Sequence, residues 1–205
     1  MLLLYFLVLG PNPVRAEAAP FRITVLGDSL VAGYGLDAAD AFPAQLERAL
    51  RDRGCRVTVT NAGVSGDTTA GGRARLDWVL ADAPQLVIVE LGANDALRGL
   101  PPEAAAANLD AILARLRARG VAALLAGMRA PRNLGAEYYT KFDPLYPRLA
   151  ARFQVPLYPF FLEGVTGVAE LNQDDGLHPT GAGVAEIVRR ILPLVVTSLG
   201  AQVCP

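Results

Sequence analysis

The sequence predicts a single α/β domain, a three-layer α/β/α sandwich built on a five-stranded parallel sheet. Three observations carry this. Strand-like and helix-like segments alternate five times along the chain. The strand-like segments are short and almost continuously apolar, as strands covered on both faces must be. No internal repeat or linker divides the 205 residues, a length that suits one domain.

Each element follows from its pattern. Phe21 to Leu26 (FRITVL) is β-rich and stops at Gly27. Ala41 to Arg53 places Phe42, Leu46, Ala49 and Leu50 at helical spacing. Arg56 to Thr60 (RVTVT) is the second strand, followed by Asn61-Ala62-Gly63. Thr68 to Leu80 suits a helix, weakened at its start by Gly71-Gly72. Gln85 to Leu91 (QLVIVEL) is the strongest strand signal. Pro102 to Arg119 puts Leu109, Ile112, Leu113 and Leu116 on one helical face, and Gly120 stops it. Val121 to Ala126 is the fourth strand. Glu137 to Phe153 is helical with Pro144 and Pro147 as interruptions. Val155 to Tyr158 is a short fifth strand, and Thr180 caps a last helix running through Ile187, Val188, Ile191 and Leu192.

Composition narrows the function. Hydrophobic residues make up 52% and charged residues 19%, enough to fill a core. Lys plus Arg total 19 against 20 Asp plus Glu, so no concentrated positive field recommends a nucleic-acid partner. Two cysteines and one histidine argue against a conventional zinc site. No G-x-G-x-x-G joins a strand to a helix and no Walker motif occurs, which argues against a nucleotide. Any histidine chemistry within this chain rests on His178.

Leu2 to Leu9 reads LLLYFLVL, a break follows at Gly10 to Pro13, and Ala16-Glu17-Ala18-Ala19 offers an A-x-A site. This is the pattern of a secretory signal. The run is too short to span a bilayer core of roughly 30 Å. No Lys or Arg precedes it, and the alternative is an interfacial or disordered N-terminal extension. The expected organisation is a signal peptide over 1–18 and one domain over 19–205, monomeric, periplasmic or secreted, with no transmembrane anchor after processing. An oxidising compartment would permit a bond between Cys55 and Cys204. Their separation in sequence leaves open whether they pair or stay free.

In a parallel sheet the ligand site lies at the carboxyl ends of the strands, and the unusual polar residues fall there. Ser29 follows the first strand in Gly27-Asp28-Ser29-Leu30, entering a helical turn whose free N–H groups face the crevice. It is either a nucleophile or a helix cap. After the second strand, Asn61 to Thr68 contains Gly66, whose N–H is a candidate oxyanion donor, and Asp67 or Thr68 as a cap. After the third, Asn94 can donate its amide to a developing negative charge or close an Asx-turn. Glu90, inside the apolar strand, is expected to be tied to a neighbour and not catalytic. Asp174-Asp175-Gly176-Leu177-His178 places a carboxylate three residues before the histidine. That spacing lets Asp175 hold one ring nitrogen while the other faces a serine, with Asp174 as rival.

Together these blocks resemble the SGNH or GDSL hydrolases: Ser29 in GDSL, Gly66 in the Gly-Asp-Thr segment, Asn94 in GAND and His178 in DGLHP. The likeness runs from about Phe21 to Leu194. The segments GDSLVAGYG, SGDTTAGGRARL, VELGANDALRG and QDDGLHP are similar to the bacterial periplasmic thioesterase I, lysophospholipase L1 and arylesterase type. Ala93 departs from the Gly of many such relatives.

The resemblance implies a flavodoxin-like strand order 2-1-3-4-5 and hydrolysis of acyl esters and thioesters through an acyl-enzyme. It implies Ser29, Asp175 and His178 as catalytic residues. The Ser29 and Gly66 N–H groups and Asn94 would form the oxyanion hole. No metal or organic cofactor is required. The partner expected is a small-molecule or lipid acyl ester or thioester. Gly127 to Pro131 and Tyr158 to Leu162 are expected to cover the acyl group, with core packing as the alternative for Phe160 and Phe161. Arg129 would meet a substrate anion or form a salt bridge. A carbohydrate O-acetylesterase would use the same residues; a non-catalytic binding module would leave their arrangement unexplained.

Overall fold

The computed structural model describes residues 19–205; the leader expected over 1–18 lies outside them. Five strands, β1 (Phe21–Gly27), β2 (Val57–Gly63), β3 (Leu86–Glu90), β4 (Ala122–Ala126) and β5 (Leu157–Tyr158), pair in the order β2-β1-β3-β4-β5. Every pairing is parallel. All five residues of β3 are buried. Side chains alternate between faces along a strand, so burial of consecutive residues means that both faces are covered.

The longer helices are α2 (Phe42–Arg51), α6 (Pro102–Ala118), α8 (Leu145–Phe153) and α9 (Gly181–Leu199). Shorter ones are α1 (Ser29–Ala32), α3 (Thr69–Ala74), α4 (Leu76–Val79), α5 (Ala93–Leu97) and α7 (Ala136–Phe142). Helix α2 packs against α9, while α6 packs against α3, α7 and α8. Among the described residues no helix is long and apolar enough to cross a membrane.

Four sequence expectations shift. The helix expected over Thr68 to Leu80 breaks at Arg75, which is pulled toward the strand ends described below. The segment from Glu137 to Phe153 divides between α7 and α8, but Pro147 does not interrupt α8. It sits in the first turn, where its missing N–H has no intrahelical partner to lose. Strand β2 continues to Gly63 and so includes Asn61 and Ala62. Helix α9 runs past Leu192 to Leu199 with Pro193 inside it.

Cys55 and Cys204 form a disulfide across 149 positions of sequence. It ties the tail after α9 to the start of β2, beside a hydrogen bond from the Arg56 N–H to the Val203 carbonyl of 3.2 Å. The question left open by sequence is settled by topology: β2 is an edge strand, and α9 packs on the α2 that precedes it.

The chain leaves β1 to one side for β2 and returns to the other side for β3. That reversal opens a crevice at the carboxyl ends of β1 and β3. Gly27 lies opposite Gly63 on one side and Glu90 on the other. A Cβ on Gly27 would stand 2.6 Å from the Glu90 Oε2 atom, so only glycine lets that carboxylate reach the turn.

Candidate active site

Strand β1 ends at Gly27, Asp28 caps α1 by accepting the Leu30 N–H at 3.0 Å, and Ser29 is the first helical residue. This fixes the Ser29 hydroxyl at the strand end and leaves its own N–H without an intrahelical partner. The serine hydroxyl lies 2.9 Å from His178 Nε2. On the other side of the ring, His178 Nδ1 lies 2.6 Å from Asp175 Oδ2. The remaining oxygen of Asp175 accepts the N–H groups of Leu177 at 2.9 Å and His178 at 3.0 Å. A carboxylate so placed selects the ring form with its proton on Nδ1, and Nε2 is then free to accept the serine proton. The His178 N–H, the imidazole and the Leu177 N–H hold the Asp175 carboxyl down at about 2. Asp174 is exposed and makes no hydrogen bond or ion pair among the described residues. Of the two neighbouring carboxylates, only Asp175 contacts His178 among the described residues. The Tyr34 ring lies against the imidazole, centroids 4.5 Å apart.

Asn94 is the second residue of α5, turned into the crevice by Gly92 at φ 119°. Its Nδ2 donates to Asp28 Oδ2 at 3.1 Å and to the Asp67 carbonyl at 3.0 Å. Gly66 is exposed with φ 80°, and its carbonyl is turned to Arg98 at 2.8 Å. Its N–H makes no hydrogen bond among the described residues. Ser29, Asn94 and His178 line one cavity of about 650 Å³; Gly66 does not line it, and its neighbour Asp67 meets the site by accepting from Asn94 through its carbonyl.

The cavity walls are mainly apolar: Leu97, Met128, Pro131, Phe160, Leu162 and Leu177. The two segments expected to cover an acyl group both contribute, with a division. Phe160 lines the cavity, whereas Phe161 is fully buried and packs edge-on against Phe42 at 4.9 Å. Tyr158 belongs to β5 and also stays out of the cavity. Arg129 lies over the Phe160 ring at 4.8 Å and 3.9 Å from Glu163.

Several contributors had no sequence-based assignment. Leu97 and Leu177 stand half-exposed in the cavity wall. Arg75 donates to the carbonyls of Gly27 at 2.9 Å and Ala62 at 2.8 Å while pairing with Asp67 at 2.7 Å. It thereby clamps the ends of β1 and β2. Asp28 stands in the quoted GDSL block, but its carboxylate also accepts from Asn94, and its backbone N–H donates to Glu90, both far away in sequence. Glu90 is tied to its neighbour as expected: its Oε2 accepts the Asp28 N–H at 3.3 Å.

The model of the GDSL-like lipase/acylhydrolase family matches residues 25–185, most of the chain. The chain belongs to that family. It is 44% identical over 165 residues to an arylesterase of Vibrio mimicus, covering 80% of this chain and 82% of that one. It is 43% identical over 175 residues to thioesterase 1/protease 1/lysophospholipase L1 of Escherichia coli K12, covering 85% and 82%. A crystal structure of TesA superposes on this GDSL hydrolase with a TM-score of 0.82 at 41% identity, covering 86% of this chain and 98% of that one.

Proposed function

We propose that Ser29 is the nucleophile with which this ester and thioester hydrolase acts, with His178 as general base and Asp175 orienting it. The observation that carries the assignment is the continuous hydrogen-bonded series Asp175–His178–Ser29 opening into an apolar cavity. Neutral His178 takes the hydroxyl proton as Ser29 Oγ bonds to the acyl carbonyl carbon. The carbonyl electron pair moves to oxygen and meets the Ser29 and Gly66 N–H groups and the Asn94 amide. The tetrahedral intermediate collapses, the bond to the leaving alcohol or thiol breaks, and His178 returns its proton to that group. Water, deprotonated by His178, then attacks the acyl-serine; the acyl–Oγ bond breaks as His178 returns the proton to Ser29 Oγ, and the acid leaves. No step calls for a metal or organic cofactor. Apolar walls suit an acyl chain better than an acetylated sugar, which favours the acyl-ester reading over a carbohydrate O-acetylesterase.

The same reading takes 1–18 as a removable signal and 19–205 as a monomeric domain working in the periplasm or outside the cell. The disulfide supports export, because such bonds persist in oxidising compartments. Mass spectrometry of the protein from exporting cells would locate the amino terminus. A start near Ala19 is expected; an intact Met1 would overturn the leader.

The deciding test for the nucleophile is Ser29→Ala. The variant should fold with an unchanged circular dichroism spectrum, lose labelling by an aryl phosphonate and lose nearly all kcat/KM. A folded variant keeping a tenth of wild-type activity would remove Ser29 from this role. Comparing kcat/KM across aryl esters, acyl-thioesters, lysophospholipids and acetylated sugars would then rank the leaving groups.

A further inference from the structure

The aspartate beside the nucleophile is fully buried, and the triad does not use it. One oxygen caps α1, the other accepts an N–H of Asn94, and its backbone N–H is held by Glu90. Glu90 is also fully buried, and its Oε1 has no partner among the described residues. Asn94 presents a further difficulty. A primary amide has two N–H bonds, and in the resting site they go to Asp28 and the Asp67 carbonyl. An oxyanion can gain this donor only by taking one of them over.

The two bonds differ in strength. A hydrogen bond to a carboxylate is charge-assisted and roughly twice as strong as one to a neutral carbonyl. The Asp67 carbonyl should therefore yield, with the Asp28 bond persisting as the pivot. We propose that Asp28 is a positioning residue of the reaction: its ionised carboxylate holds one N–H of Asn94 so that the other passes from the Asp67 carbonyl to the developing oxyanion. This rests on the hydrolase mechanism above.

The surrounding charges decide when Asp28 is ionised. Burial raises it to about 6, against the opposing pull of the Leu30 and Asn94 hydrogen bonds and of His178; the Asp67 charge adds a push upward. Burial and the Asp28 charge push Glu90 well above its ordinary value, which favours placing the charge of the pair on Asp28. Around them, Arg75 pairs with Asp67, Asp175 pairs with His178, and the buried Tyr146 hydroxyl donates to the Leu91 carbonyl. No cation is bonded directly to either buried carboxylate among the described residues. Oxyanion binding should thus weaken as pH falls through about 6, where Asp28 loses its charge.

The test is a double-mutant cycle of Asp28→Asn and Asn94→Ala, with kcat and KM measured against pH on one neutral aryl ester. Phosphonate titration counts the reactive Ser29 in every variant. D28N alone should lower kcat by about tenfold or more, with KM changed by less than about threefold, because the lost interaction belongs to the transition state. In the N94A background the same change should cost less than about threefold, since Asp28 then has nothing to position. Equal losses in both backgrounds would mean that Asp28 merely caps α1, and the proposal falls. Wild-type kcat in D28N would overturn it as well. Should D28N fail to fold, the pH profile decides: N94A should lose the fall in kcat that Asp28 imposes near pH 6, and an unchanged profile overturns the proposal. If wild type shows neither turnover nor Ser29 labelling, the hydrolase mechanism itself has failed and takes the proposal with it.

Discussion

Asp175 holds the histidine through both of its oxygens. One accepts the imidazole Nδ1–H, and the other accepts two backbone N–H groups of the turn that carries the ring. Asp174, one position away, holds no group of the site. Asp175→Asn preserves the shape but removes the charge that stabilises the imidazolium, and its amide can present an N–H to Nδ1, favouring the wrong tautomer. In serine proteases the same change at the orienting aspartate costs about 10,000-fold in kcat; this partly exposed pair should lose between about 100-fold and that limit. Asp174→Asn should stay within about tenfold, as expected of an exposed charge. Both are checked by kcat/KM against pH with circular dichroism. A larger loss in D174N, with both variants folded, would reverse the assignment. The Asp175–His178–Ser29 series was legible in sequence because Ser29 directly follows a strand and Asp175 and His178 share one turn at a spacing of three. The role of Asp28 was not. Its partners Asn94 and Glu90 are 66 and 62 positions away, and only the sheet register brings them to it.

At the level of elements, the apolar runs of β1 and β3 and the cap at Thr180 could be read directly, because each depends on local pattern. The division of the third helical segment could not. Arg75 ends α3 because its guanidinium reaches two strand-end carbonyls and Asp67, contacts that no periodicity reports. Those bonds tie the strand end before Ser29 to the strand end and loop that lead past Gly66. Lysine at this position keeps a charge for Asp67 but lacks the planar fork that satisfies both carbonyls. Arg75→Lys should cost about 2–3 kcal/mol of stability, from charged hydrogen bonds lost in a partly buried setting. It should also lower kcat by about tenfold, through a looser approach of the oxyanion donors. Denaturant unfolding and steady-state kinetics on the same preparation check both. Loss of stability with kcat unchanged would restrict Arg75 to holding the sheet.

The whole molecule separates its chemistry from its covalent staple. The site lies at the carboxyl ends of the strands, whereas Cys55 lies just before β2 begins, at the opposite end of the sheet. The bond closes a loop of 149 positions, so it constrains most of the unfolded chain. On a chain-entropy model a loop of that length is worth about 5 kcal/mol, an upper value where the unfolded state keeps structure. In the native state the same bond fixes only the tail after α9 and the approach to the edge strand. Reduction should therefore act on unfolding and spare catalysis. For a domain of this size each kcal/mol moves Tm by about 2–4 °C, so Cys55→Ser with Cys204→Ser should lower Tm by roughly 10–20 °C. At 25 °C the variant should keep kcat and KM within about twofold, since no group of the site touches the bond. Calorimetry with and without reductant, paired with ester kinetics, separates the two effects. A Tm shift of under about 3 °C would mean that α2 and α9 hold the tail without the disulfide. A large fall in kcat with the fold intact would mean that strain passes along β2 to the Gly66 loop, coupling the two ends of the sheet.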